Sequence, residues 1–364
     1  MNFVIQDPDD SDGIYLVEAL LEACQDASRG GGAFAFATAA GAKLFLEDET
    51  FLAFAVEHSF DLIVGIDAIT NNEALNAITS AARGAPGLNV YVFLHERQDS
   101  LFHPKFCWFR TPLGGRLVVG SGNLTIGGLR ANWEAFSVIS LKKSEAKELE
   151  NTWVRWIETH SALLLDPTDP RVTARASQNT GWVRLVRSDD STDGAVTTGN
   201  ETVNDERATG PVRESQSVLV AEIPKSGDRW NQANFDLHTY EQFFGAKVGT
   251  QRRIVLQHVN ADGTLAEAEN RPSVAVRSHN YRFELEAASG LSYPRTRRPI
   301  GVFVRVATRT FRYRLLMPSD PHYAVARAFL DKKWTGPSNR MRRVCVKVHE
   351  LRHAWPSAAL WRSV

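Results

Sequence analysis

"LFHPKFCWFRTPLGGRLVVGSGNLTIGGL", residues 101–129, is the stretch on which the reading of this 364-residue chain turns. It holds an apolar run at 101–110 and a second at 115–120 that stops abruptly in Gly120, Ser121, Gly122, Asn123 and Thr125. Both runs have strand length, and side chains alternate across a strand, so His103 and Lys105 share one face of the first. Pro104 between them removes a ladder donor, which suits an edge or an irregular segment beside a site. The small residues after the second run let backbone amides approach an anion closely, and Asn123 adds a side-chain donor. A third strand at 132–141 sets Glu134 among apolar neighbours, where a carboxylate needs a cation or a hydrogen-bond donor as partner.

Upstream of this stretch, apolar residues at helical spacing predict a helix over 14–24, capped by Ser11 or Asp12 and ended by Gly30, Gly31 and Gly32. Strands at 32–38, 61–66 and 88–96 then alternate with helical stretches at 48–58 and 71–84. Such alternation predicts an α/β domain, a mixed sheet flanked by helices. A helix opening at Ser144 carries Ala146, Leu149, Trp153 and Trp156 as an apolar stripe that seals it. The text at 188–217 turns polar and small, as a linker does. Beyond it, apolar runs at 217–223, 252–260, 273–287, 300–317 and 342–351 read as strands of a mostly-β, closed or half-closed barrel. The expected boundaries are 1–187, a linker at 188–215, and 216–364.

Composition agrees with two ordinary globular domains, at 43% apolar and 10% aromatic residues. The net charge of zero conceals an asymmetry: residues 1–190 hold 16 Lys and Arg against 25 Asp and Glu, a net of −9, and residues 216–364 hold 24 against 12, a net of +12. A basic half of this size suits a polyanion, although a membrane surface or an acidic protein could also use it. Three scattered cysteines exclude a disulfide framework and a multi-cysteine zinc site within the chain. No apolar run reaches the length of about 18 that spans a bilayer, and the acidic start lacks a signal-peptide layout, so a cytoplasmic protein without a membrane partner is expected. "GSGNLTIGG" is not followed by the Lys-Ser/Thr of a nucleotide-binding loop, so no ATP hydrolysis and no cofactor are expected of this chain itself.

Three polar clusters in the basic half are candidate DNA contacts. The first is Lys225, Ser226, Arg229, Trp230, Asn231, Gln232 and Asn234. A second holds Arg282, Glu284, Tyr293, Arg295, Arg297 and Arg298, and a third Asn339 and Arg340. Arginine and lysine suit phosphate or guanine, asparagine and glutamine suit adenine, and an aromatic ring packs on a backbone or a base.

His-x-Lys at 103 and 105, Gly-Ser-x-Asn at 120–123, and an acid on the next strand at Glu134 resemble the active-site signature of the phospholipase D superfamily. The resemblance implies that His103 attacks phosphorus to form a phosphohistidine and that Lys105 and Asn123 hold the nonbridging oxygens. It further implies that Glu134 orients the imidazole, Ser121 belongs to the same loop, and no metal takes part. Two departures stand out: position 110 is arginine where the longer family pattern has aspartate, and none of the other nine histidines is followed at +2 by lysine. Single-copy nucleases of the superfamily complete the site by homodimerising, so a homodimer through the N-terminal domain is expected.

The basic half resembles, in strand layout and polar arms, the B-three-like DNA-binding pseudobarrel. The whole chain is similar to two-domain restriction endonucleases of the BfiI type and to the nuclease subunits of the NgoAVII and CglI type. That resemblance implies a sequence-specific restriction endonuclease acting on double-stranded DNA, with a separate helicase-like ATPase subunit using ATP. A free-standing restriction enzyme, a phospholipid-processing phosphotransferase and a catalytically silent DNA-binding regulator remain as alternatives.

Overall fold

The computed structural model describes residues 2–10, 13–97, 99–179, 212–225, 230–248, 252–272, 274–276 and 280–361. Ser226, Arg229 and residues 188–211 of the expected linker lie outside the described residues. The chain forms two compact units, Met1–Pro8 with Gly13–Asp205, and Asp9–Asp12 with Glu206–Val364.

The first unit runs β1 (Asn2–Gln6), α1 (Leu16–Cys24), β2 (Arg29–Phe34), α2 (Ala39–Leu46), α3 (Glu49–Glu57), β3 (Ser59–Gly65), α4 (Asn72–Gly84), β4 (Leu88–Phe93), β5 (Lys105–Thr111), β6 (Gly114–Gly120), β7 (Glu134–Leu141), α5 (Lys143–Thr159), β8 (Leu164–Leu165) and α6 (Pro170–Ala176). Its eight strands make one mixed sheet in the order β1-β7-β6-β5-β2-β3-β4-β8. Strands β2, β3 and β4 are parallel, and β5, β6 and β7 form an antiparallel meander beside them. This is the mixed α/β sheet with flanking helices expected from the alternation. The pleat sorts the core: Phe34, Leu62 and Val64 face one apolar cluster with α1 to α4, whereas Ala33 and Ile63 face a second with Trp108 and Trp153 of α5.

Gly30, Gly31 and Gly32 do not end α1; they lie within β2. The reason is packing rather than turn chemistry. A Cβ on Gly31 would come 2.7 Å from both Trp108 Nε1 and Trp153 Nε1, and one on Gly32 would come 2.6 Å from Cys107 Sγ. Large side chains of the neighbouring elements lie over the bare strand. Arg110, the departure from the family pattern, pairs at 2.7 Å with the buried Glu150 and so ties β5 to α5. The edge strand β1 and helix α2 were not anticipated.

The second unit contains β9 (Ser217–Glu222), β10 (Gln232–Phe235), β11 (Arg253–Val259), β12 (Leu265–Pro272), β13 (Val274–Val276), β14 (Asn280–Glu284), β15 (Ile300–Ala307), β16 (Thr310–Leu316), α7 (Tyr323–Lys333), β17 (Arg343–Lys347) and α8 (Val348–Ala354). It is mostly β, as expected. The strands form a six-stranded sheet, β12-β11-β16-β15-β9-β17, and a three-stranded sheet, β10-β14-β13, and no closed barrel is found among the described residues. Leu219, Ala221 and Phe303 face an aromatic cluster with the smaller sheet, while Val218, Val220, Val302 and Val304 face α7 and α8. Two expected single strands are hairpins. The run 300–317 folds back at Arg309, whose φ of +50° lies in the left-handed region, and 273–287 divides into β13 and β14. The run 342–351 changes from strand to helix at Val348, where Glu350 accepts the Lys347 N–H at 3.2 Å.

Candidate active site

The meander and the end of β2 position the signature residues. His103 precedes β5, and the next residue, Pro104, accepts the Ala35 N–H at 2.8 Å. The imidazole meets the edge of Phe36 at 5.7 Å between ring centroids. Lys105 opens β5, and its Nζ lies 3.1 Å from each ring nitrogen of His103 and 3.2 Å from the His103 carbonyl. The two side chains therefore converge. Burial lowers the Lys105 pKa from the ordinary lysine value, and the Glu134 carboxylate opposes that shift.

The loop after β6 is held by main chain on both sides. Ser121 N–H donates to Ala135 O at 3.0 Å, Leu124 N–H to Phe36 O at 3.0 Å, and Thr38 N–H to Leu124 O at 3.0 Å. Thr125 Oγ1 accepts the Gly128 N–H at 3.0 Å and so caps the turn. Ser121 Oγ donates to Glu134 and accepts the Ala135 N–H at 3.1 Å. The second carboxylate oxygen accepts Asn132 Nδ2 at 3.4 Å. Among the described hydrogen bonds, Glu134 is thus engaged by Ser121 and Asn132 and by no atom of His103. Asn123 is half-buried with Oδ1 lacking a partner, and no described hydrogen bond uses its Nδ2 donors.

Three contributors escaped the sequence reading. Phe36 packs on the imidazole, Asn132 shares the Glu134 carboxylate, and the fully buried Gln6 clamps the loop between them. Gln6 donates to Asn132 O at 2.8 Å and Gly128 O at 3.3 Å, and it accepts the Leu16 N–H at 2.8 Å. Gln6 gives no sequence signal, because its partners lie far along the chain. Among the described residues, no cluster of three or more His, Cys, Asp or Glu could hold a metal ion, and no helix is long and apolar enough to cross a membrane.

In the second unit, the candidate contacts divide between two surfaces. Lys225, Tyr293, Arg295, Arg297, Arg298, Asn339 and Arg340 line one cleft of about 950 Å³, together with Asp236, His238, Trp334 and Arg343. Gln232, Asn234, Arg282 and Glu284 lie on the outward face of the small sheet, paired Gln232 with Glu284 and Asn234 with Arg282, while Ala233, Phe235, Tyr281 and Phe283 turn into the core. Some of these groups are already engaged. Asn231 Nδ2 donates to Glu284 at 2.8 Å, and Arg298 donates to the buried Glu222 at 3.0 Å. Tyr293 donates to Ile223 O at 3.0 Å. Trp230 requires a correction: it is 6% exposed, packs on Tyr293 and donates its indole N–H to Leu291 O at 2.6 Å. Its ring anchors the arm and is not offered to DNA.

No family model matches the chain, and no curated protein does. Solved structures to which part of the chain is similar include NucT from Helicobacter pylori, at 9% identity and a TM-score of 0.31, covering 42% of this chain and 90% of NucT. Nuc, a phospholipase D family member from Salmonella typhimurium, is 14% identical at a TM-score of 0.28, covering 40% of this chain and 87% of Nuc. The N-terminal domain of Helicobacter pylori LlaJI.R1 is 11% identical at a TM-score of 0.26, covering 36% of this chain and 97% of that domain. Likeness at this level transfers no residue roles.

Proposed function

We propose that this protein is a phosphodiesterase that cuts double-stranded DNA without a metal ion, by way of a phosphohistidine. The observation that carries the proposal is the convergence of the Lys105 ammonium on the His103 imidazole at 3.1 Å, beside a loop whose Asn123 donors are uncommitted. A ring nitrogen of His103 forms the bond to phosphorus as the bond to the leaving oxygen breaks, and water then cleaves the N–P bond. Lys105 and Asn123 offset the charge that builds on the nonbridging oxygens. Glu134 keeps the ammonium charged, and Ser121 fixes the carboxylate.

The leaving oxygen needs a proton donor, and the chain carries one such histidine. We assign that donor to the His103 imidazole of a second copy, in a homodimer built on the first unit. Phe3, Ile5 and Trp133 support this, being 64%, 66% and 67% exposed beside the strand that carries Glu134. Phe3 aligns across Ser137 with the exposed Val119 in one cross-strand row. Covering such a row with its own two-fold mate satisfies an isologous interface.

The second unit, taken as a B-three-like pseudobarrel over 216–364, is the reader of DNA sequence. Its basic cleft suits phosphates, and the face bearing Gln232, Asn234 and Arg282 suits base edges. The whole is a restriction endonuclease subunit acting in the cytoplasm with a helicase-like ATPase. Plasmid cleavage by this chain in EDTA tests the metal-free chemistry, and cleavage with magnesium, with and without ATP and a host-derived fraction, tests the ATPase partner. Scission in EDTA with an acid-labile adduct on His103 is the expected result. A magnesium requirement that persists in the absence of ATP and partner, or full activity in His103→Ala, would refute it.

A further inference from the structure

Parallel strands β3 and β4 end at one edge of the sheet, and each is followed by an ionisable residue, Asp67 after β3 and His95 after β4. Both side chains are nearly buried, at 8% and 9% exposure. Asp67 Oδ2 accepts the Phe102 N–H at 2.9 Å and lies 3.5 Å from His95 Nε2. The other ring nitrogen, Nδ1, accepts the Arg97 N–H at 3.1 Å, so Nε2 carries the proton and donates it toward the carboxylate. The turn bearing Asp67 is itself tied down. Arg175 donates to Asp67 O at 3.3 Å, and Asn179 donates to Ile66 O at 3.0 Å and Thr70 O at 2.7 Å.

Phe102 immediately precedes His103, and residues 101–104 belong to no strand. Among the described hydrogen bonds, the main chain of that segment is held at three points. Asp67 takes the Phe102 N–H, Lys105 Nζ donates to His103 O at 3.2 Å, and Ala35 donates to Pro104 O. Pro104 has no N–H to add a fourth. The Phe102 ring stacks on Phe93 at 4.4 Å and fixes the side chain, but among the described hydrogen bonds only that to Asp67 fixes the backbone on the N-terminal side of the imidazole. An apolar residue at 67 would leave the Phe102 N–H without an acceptor and the loop free to shift.

We infer that Asp67 is a positioning residue for His103, with His95 holding its carboxylate in place. This rests on the reading of His103 as nucleophile. In-line attack on phosphorus tolerates little misplacement, and an error of about 1 Å costs on the order of 10²-fold in rate. Groups that bind DNA are untouched, so the effect falls on kcat.

The test uses the full-length protein with Asp67→Ala, Asp67→Asn and His95→Ala, measured for cleavage of plasmid DNA in EDTA alongside His103→Ala and thermal melting. Asp67→Ala is expected to lower kcat by about 10- to 100-fold with KM changed less than about threefold. Asp67→Asn recovers most of that loss, because the amide oxygen still accepts the Phe102 N–H. His95→Ala, which keeps the carboxylate but frees it, lowers kcat by roughly threefold to tenfold and serves if Asp67→Ala does not fold. The assignment is overturned by Asp67→Ala or His95→Ala with parental kcat, or by Asp67→Asn no better than Asp67→Ala at equal melting temperature. An inert His103→Ala beside an unimpaired Asp67→Ala removes the brace alone, whereas an active His103→Ala removes the nucleophile reading with it.

Discussion

Replacing Lys105 by methionine keeps the stem and deletes the charge, and the geometry sets the size of the loss. Nζ stands 3.1 Å from the His103 imidazole, the proposed nucleophile, so a phosphoryl oxygen in line for attack would sit within charge-assisted hydrogen-bond reach. A unit charge pair at about 4 Å interacts by roughly 4 kcal/mol at the effective dielectric of a partly buried site. Lys105 is half-buried, and solvent trims that figure to about 3 kcal/mol, the range in which single oxyanion donors are measured. At about 1.4 kcal/mol per tenfold, kcat falls on the order of 10²-fold. The charge acts on the transition state more than on bound DNA, so kcat and kcat/KM fall together. Single-turnover cleavage of supercoiled plasmid in EDTA reads the loss, and acid-labile labelling of His103 should fall with it. Turnover of Lys105→Met within threefold of the parent would refute the role of the ammonium.

The remaining predictions concern pH, assembly and recognition. Because burial holds the Lys105 pKa below the ordinary lysine value of about 10.4, the alkaline limb of kcat/KM falls below that value, and Glu134→Gln moves it lower still; an unmoved limb in a pH series would contradict this. Burial pushes the Glu222 carboxyl up, but hydrogen bonds from Arg342 N–H and Arg298, with the charges of Arg298 and Arg327, hold it below the usual range. The stabilisation is therefore present above the unfolded pKa near 4.3 and lost as pH falls through the lower folded value, so Glu222→Gln lowers the melting temperature at pH 7 and converges on the parent in strong acid by calorimetry. Arg295→Ala and Arg297→Ala should each reduce the slope of log affinity against log salt by about one, with fluorescence anisotropy as the measure. Ile5→Asp should convert a dimer to a monomer in sedimentation velocity and abolish cleavage, and an active monomer would exclude the shared site.

Much of the first unit is legible locally. Alternating apolar runs and helical periodicity depend on neighbours in the chain, so β3, α4, β4, β5 and β6 can be read directly. His103 and Lys105 stand two residues apart, but only Lys105 lies in β5, and they converge because its Nζ reaches back over the irregular segment to the His103 ring and carbonyl. The glycines at 30, 31 and 32 mislead, since a glycine run marks a turn and a crowded strand equally well. What distinguishes them is Trp108 and Trp153 lying over Gly31, and Trp153 is more than a hundred residues away. The runs 300–317 and 273–287 read as single strands because neither contains a Pro or a Gly pair inside it, whereas each is two antiparallel strands. Trp230 is ambiguous for a similar reason: a tryptophan between polar residues suits a surface contact as well as a buried anchor, and the acceptor at Leu291 O decides between them.

The residue types and their spacing alone single out the His103–Lys105 pair and the Gly-Ser-x-Asn loop as the candidate site, show that His-x-Lys occurs once, and show that basic charge gathers in the second half. Those properties are local or additive, so order along the chain suffices. Only the folded chain decides what holds the candidate site in place: Gln6 reaching 122 residues to Gly128 O, Phe36 against the imidazole, Asn132 and Ser121 on Glu134, and Asp67 on Phe102. These contacts pair side chains with backbone atoms of distant segments, and such partners are set by sheet order and register, which no local pattern encodes.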